Sequence, residues 1–103
     1  MNRIEKIKEY LQQTPDDNFL RHALALEYIK EGNDADAQTL FEAILNKSPN
    51  YIGSYYHLGK LLERNNKQQE AIACYEKGLR AAKSANDQHA YNELQAAYEN
   101  LVY

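Results

Sequence analysis

Apolar side chains recur along the chain at the three- and four-residue spacing of a helix that is buried on one face. Ile4, Ile7 and Leu11 show this spacing in an otherwise charged segment, and Leu94 and Tyr98 show it near the end of the chain. No stretch alternates apolar and polar residues as a half-buried strand does. The pattern therefore predicts an all-α protein with about six helices, at residues 3–13, 18–31, 35–47, 52–65, 69–83 and 88–102.

The same order of side-chain sizes returns after 34 residues. At this shift Leu11, Leu45 and Leu79 align. Further aligned pairs are Leu24 with Leu58, Ala25 with Gly59, Tyr28 with Leu62, Ala37 with Ala71, Phe41 with Tyr75, and Pro15 with Pro49. Three of these six pairs are identical and the other three match in size class, so size class is what repeats. Such a period is typical of stacked helical arrays, in which each unit buries a face against its neighbour.

Two series of residues carry this period. The first reads Arg21, Leu24-Ala25, Tyr28, Ala37, Phe41, Pro49, and the second reads Tyr55, Leu58-Gly59, Leu62, Ala71, Tyr75, Lys83. Both resemble the tetratricopeptide repeat, whose pattern is Trp, Leu-Gly, Tyr, Ala, Phe and Pro. The departures are Arg21 at the aromatic position, Lys83 at the second proline, and Gly78 where a small Ala is usual. The resemblance implies a right-handed stack of antiparallel helix pairs.

The resemblance also implies a division of the chain, which we expect to be one complete domain. The expected parts are a half repeat at 1–17, full repeats at 18–51 and 52–85, and a capping helix at 86–103. The outer face of the last helix is polar, and that of the first is charged, as terminal repeats need for solubility. The polar outer face of the last helix consists of Gln88, Asn92, Gln95 and Glu99.

Packing and turn positions follow from the repeat. Small residues such as Gly59 should lie where two helices cross. The expected core is Leu24, Tyr28, Ala37, Phe41, Leu45, Leu58, Gly59, Leu62, Ala71, Tyr75 and Leu79. Short polar side chains favour helix starts. The expected caps are Asp16 or Asp17, Asn33 or Asp34, Asn50, and Asn65 or Asn66.

In the family that the repeats resemble, the first helix of each repeat lines a concave groove. That resemblance implies a protein–protein interaction module whose groove holds a peptide or a partner helix. The implied groove residues are Phe19, His22, Leu26, Lys30, Tyr56, His57, Lys60, Glu63 and Arg64. Basic residues outnumber acidic ones in this set, so we expect the partner to carry an acidic segment. Apolar anchors are also needed, because exposed charge pairs contribute little.

Composition excludes several classes of function. The net charge is −3 and no basic run is present, which argues against nucleic-acid binding. No apolar run is long enough to span a membrane, and "MNRIEKIKEYL" is too charged for a signal peptide. Cys74 is the single cysteine, so no internal disulfide can form, and we expect a cytoplasmic protein.

The sequence offers little support for a catalytic or metal-binding site. His57 has no carboxylate at local helical spacing to orient it as a base, and His22, His57 and His89 lack the short spacing of a metal-ligand set. We expect no enzyme activity, no metal and no cofactor. The sequence leaves two rival hypotheses open. One is an enzyme or metal protein, and the other is a homo-oligomeric structural module that assembles through the groove or through an end helix. Tyr10 and the tail Leu101-Val102-Tyr103 would carry that assembly.

Overall fold

The computed structural model describes residues 2–103, which contain six α-helices and no strand. The helices are α1 (Arg3–Gln13), α2 (Asn18–Lys30), α3 (Asp34–Lys47), α4 (Gly53–Arg64), α5 (Gln68–Ser84) and α6 (Gln88–Val102). Every helix end lies within one residue of the end that the periodicity predicts. The all-α architecture expected from the sequence is therefore confirmed.

The helices form two compact units. The first unit ends at Lys47 and holds α1, α2 and α3, each packed on the next along the chain. The second unit, Ser48–Tyr103, holds α4, α5 and α6 in the same succession, and α6 also contacts α4. In this second unit α4 and α6 are therefore neighbours that share the partner α5.

Three helices end in the same way, with a residue of positive φ and two closing backbone hydrogen bonds. Gly32, Asn66 and Asn86 follow α2, α4 and α5 and have φ angles of +79°, +62° and +57°. After α2, the N–H of Gly32 donates to a carbonyl three residues back at 3.0 Å, and the next N–H donates five residues back at 2.8 Å. The other two ends repeat both bonds. Glycine and asparagine tolerate this left-handed conformation, so these residues stop the helices.

Some of the expected caps are found and others are not. Asp17 and Asn33 cap α2 and α3, because their side-chain oxygens accept the N–H three residues on at 3.0 and 3.3 Å. For the start of α5 the sequence predicts a cap at Asn65 or Asn66, but Asn66 closes α4 instead, and α5 begins without a side-chain cap. Asn50 does not cap α4 either, since Ile52 stands at the cap position in a helical conformation.

Most of the expected core is buried, and three of its members are not. Tyr28, Leu45 and Leu79 are only half-buried. The buried faces of α3 and α5 centre on Phe41 and Tyr75, and Leu45 and Leu79 lie to one side of those faces because each residue turns the helix by about 100°. The ring of Tyr28 lies 5.7 Å from the ammonium of Lys8 in α1, at the edge of its unit.

Two glycines allow α4 and α5 to approach closely. A Cβ on Gly59 would lie 2.2 Å from Cε1 of Tyr75, and one on Gly78 would lie 2.7 Å from Cβ of Tyr55. Any side chain at either position would overlap a buried aromatic residue. The contact with Tyr55 therefore explains why Gly78 replaces the small alanine that is usual in the repeat.

Candidate interaction surfaces

In the first unit, Phe19, His22, Leu26 and Lys30 lie along one side of α2, and we call this set the α2 surface. Spacings of three and four residues keep them on a single face. Phe19 is 74% exposed, and Leu26 is half-buried. The ring of His22 lies edge-on to the buried ring of Phe41, with centroids 5.4 Å apart. This surface thus ends in an aromatic side chain that the described residues do not cover.

The lysine of the α2 surface has an acidic partner. Lys30 Nζ lies 3.1 Å from Oε2 of Glu27, and the same oxygen lies 3.2 Å from Nε of Arg3 in α1. Glu27 was not among the residues that the sequence assigned to the groove. Its position three residues before Lys30 is the sequence signal that predicts such a pair.

In the second unit, Tyr56, His57, Lys60, Glu63 and Arg64 form the α4 surface. The rings of Tyr56 and His57 meet edge to face, with centroids 5.6 Å apart. Lys60 Nζ lies 5.7 Å from the centroid of the Tyr56 ring and 3.8 Å from Oε2 of Glu63. The structure therefore brings four of the five predicted residues into one cluster, and Arg64 is exposed at its end.

Glu63 has a second role that its place on the surface does not reveal. Its carboxylate accepts a hydrogen bond from the hydroxyl of Tyr75, whose ring is fully buried in the core. Burial, and then the bond to Glu63, raises the pKa of Tyr75, so the phenol stays protonated and keeps donating. The hydrogen bond from the buried Tyr75 thus holds the Glu63 carboxylate in its position beside Lys60.

Replacing Tyr75 with phenylalanine tests that link. The ring and its packing remain, but Glu63 loses its donor. We expect a loss of about 1–2 kcal/mol in unfolding free energy, below the full value of a charged hydrogen bond because water can reach the carboxylate. Urea unfolding measures this loss. The matched control is Tyr103→Phe, at a ring that is 93% exposed, and this change should leave the midpoint unaltered.

His57 lies at the border between α4 and α6. Burial lowers the pKa of His57, and the carboxylate of Glu93 in α6 opposes that shift. The imidazole is therefore predominantly neutral at pH 7 and can pack as an aromatic ring. Glu93, like Glu27, is an acidic neighbour outside the predicted groove set, and local spacing does not reveal it because it comes from another helix. The two surfaces carry less net positive charge than a count of their own residues predicts.

The remaining side chains with possible metal-binding or nucleophilic chemistry do not form a cluster. Across residues 2–103, no group of three His, Cys, Asp or Glu side chains could hold a metal ion. Cys74 is buried in the core, where its thiol donates to the carbonyl of Tyr55 at 3.4 Å. None of the helices in this part of the chain is long and apolar enough to cross a bilayer.

Three of the four residues that the sequence assigns to self-association are exposed, and the fourth, Leu101, is half-buried. Tyr10 is 50% exposed, Val102 is 37% exposed, and Tyr103 is 93% exposed. Tyr10 belongs to the first unit, and the other two end the second unit. Each is available for contact with another molecule.

Known proteins resemble this chain in sequence and in fold. A family model described as the tetratricopeptide repeat matches residues 52–84. The solution structure of a tetratricopeptide repeat domain protein from Salinibacter ruber is 41% identical, with a TM-score of 0.82, and the match covers 85% of this chain and 89% of that one. The solution structure of a protein from Bordetella parapertussis is 30% identical, with a TM-score of 0.84, and the match covers 98% and 88%.

Two longer mouse proteins match at lower identity. Aspartyl/asparaginyl beta-hydroxylase is 27% identical over 81 residues, which are 79% of this chain and 11% of the relative. The interferon-induced protein with tetratricopeptide repeats 3 is 21% identical over 99 residues, which are 96% of this chain and 24% of the relative. The chain thus spans between about a tenth and a quarter of the length of these curated relatives.

Proposed function

The chain belongs to the tetratricopeptide repeat family, and on that basis we propose that it is a protein–protein interaction module without catalysis of its own. Its α2 and α4 surfaces are the proposed sites of contact with a peptide or a partner helix. The observation that supports this is the exposure pattern of the two helices. Leu24, Ala25, Leu58 and Gly59 are buried, whereas every residue of the α2 and α4 surfaces is at least partly exposed.

Aromatic and apolar anchors supply most of the proposed affinity. Phe19 and Leu26 serve the α2 surface, and Tyr56 serves the α4 surface. Binding energy concentrates in a few such residues, whereas an exposed ion pair contributes only about 0.2–1 kcal/mol. The ion pairs of Lys30 and Lys60 reduce the charge contribution further. We propose a partner with an apolar stretch and an acidic flank that steers its approach to the α2 and α4 surfaces.

A pull-down from the native lysate, with mass spectrometry, tests the proposal with matched variants. We expect Phe19→Ala with Tyr56→Ala to lose the partner that the parent captures, since each anchor is worth about tenfold or more in affinity. The control is Tyr103→Ala, which also removes an exposed ring. A partner that stays bound to the anchor variant but leaves the control would place the contact at the C-terminal end.

The second candidate is a homo-oligomeric structural module, which the exposure of Tyr10, Val102 and Tyr103 favours. Light scattering over a range of concentrations separates the two candidates. A dimer that forms with rising concentration, and that Val102→Ser with Tyr103→Ser abolishes, would support assembly through the end of α6. A mass that stays monomeric would remove this candidate.

A further inference from the structure

The outward face of α5 carries three cations: Lys77, Arg80 and Lys83. All three are exposed, and with 3.6 residues per turn Arg80 lies away from the buried face centred on Tyr75. We call these three residues the α5 surface. None of them belongs to the α2 or α4 surface.

The cations of the α5 surface have no carboxylate within ion-pair distance among the described residues. Within residues 2–103, no ion pair involves any of its three cations. Glu76 and Asp87 are the acidic residues nearest to them in sequence. The Glu76 carboxylate accepts a 3.4 Å hydrogen bond from the hydroxyl of Tyr98 in α6, and Asp87 accepts one from the N–H of Ala90 at 3.1 Å. Arg80 interacts electrostatically with the phenol of Tyr55, which is not an anion at neutral pH. The positive charge of this face therefore remains available to a partner.

The repeat itself does not require these cations. The positions 34 residues earlier hold Ala43, Asn46 and Pro49, which carry no charge. Like charges three residues apart repel and weaken a helix. Only Lys83 lies in the last turn of α5, where the helix dipole favours a cation. Arg80 has one favourable neighbour, Glu76 four residues earlier, whereas Lys77 has no acidic residue at helical spacing. The packing of the helix therefore does not account for three cations on this face.

We infer that the α5 surface docks an acidic segment of a protein partner. Lys77 and Lys83 are six residues apart, which is about 9 Å along the axis, so two or three carboxylates on one side of a helix or strand would match them. The guanidinium of Arg80 can bind a carboxylate through two hydrogen bonds. No exposed large apolar side chain lies on α5 that could insert into a membrane. The net charge of −3 opposes binding to a nucleic-acid backbone.

Fluorescence polarisation with a fluorescein-labelled oligo-glutamate peptide tests this inference. At low salt we expect the parent protein to bind the peptide and Lys77→Gln with Arg80→Gln to weaken binding about three- to thirtyfold, as expected for the loss of two exposed pairs. Salt near 0.15 M should weaken the parent's binding, because the Debye length falls to about 8 Å. A labelled oligo-glutamine peptide should not bind.

The matched control is Lys6→Gln with Lys67→Gln, which removes the same charge from exposed positions outside the α2, α4 and α5 surfaces. We expect it to bind the acidic peptide within about twofold of the parent. Melting curves of both variants should match that of the parent, since all four positions are at least partly exposed.

Several results would overturn the inference. The parent could fail to bind the acidic peptide, or the two double variants could lose affinity equally, which would show an effect of net charge alone. Loss only in the control variant would place the acidic contact outside the α5 surface. Tighter binding of duplex DNA or of phosphatidylserine vesicles, dependent on Lys77 and Arg80, would assign this face to a different class of partner.

Discussion

Replacing Gly59 with leucine is expected to destabilise the second unit severely or unfold it. The first atom of any side chain at Gly59 would lie 2.2 to 2.8 Å from three atoms of the Tyr75 ring. That ring is fully buried, so it cannot move aside without disturbing the core. Overpacking costs about 1–3 kcal/mol or more, a large part of the roughly 5–15 kcal/mol that a small domain has. Thermal unfolding followed by circular dichroism measures the loss.

Alanine substitutions provide the control for this prediction. In a helix, alanine is more favourable than glycine by about 1 kcal/mol, so Gly53→Ala should be neutral or stabilising because its Cβ meets no atom within 4 Å. Gly59→Ala should destabilise in spite of that preference. Combining it with Tyr75→Leu should cost less than the sum of the two changes. A Gly59→Ala protein that melts at or above the parent's temperature would contradict the close contact between α4 and α5.

Helix positions were predictable because the repeat sets them through local and periodic signals. Apolar spacing and the 34-residue shift placed all six helices to within one residue. The closing turns were harder to assign. Asparagine favours both a helix start and a left-handed helix end, so Asn66 fitted two roles in the sequence. The positive φ angle of Asn66 decides between them, and no sequence spacing shows it.

Contacts among residues of the α4 surface were predictable from the repeat, whereas their acidic neighbours on other helices were not. The repeat register supplied Tyr56, His57 and Lys60, and the structure places them in contact. Their acidic neighbours depend on which helices meet. Glu93 reaches His57 from α6, and Tyr75 holds Glu63 from the core. Such contacts between helices leave no periodic trace in the sequence.

Removing residues 88–103, and with them α6, is expected to leave a protein that aggregates or binds a hydrophobic dye. Within the second unit, α6 packs against both α4 and α5 and buries Leu94 and Ala97, which are 1% and 3% exposed. A methyl of Leu94 lies 3.1 Å from the place of a Cβ on Gly78, so its loss would open the close crossing of α5 to water. An exposed apolar patch of this kind promotes association.

Point substitutions and a two-residue truncation distinguish the contribution of α6 packing from the effect of deleting the whole helix. Leu94→Ala should cost about 2–5 kcal/mol, because it leaves a cavity beside α5, whereas Asn100→Ala at an exposed position should change stability by less than about 0.5 kcal/mol. Deleting only Val102 and Tyr103, which are exposed, should leave the melting temperature unchanged. If the protein without residues 88–103 stays soluble and melts cooperatively near the parent's temperature, then α6 is an appendage, and α5 closes the second unit without it.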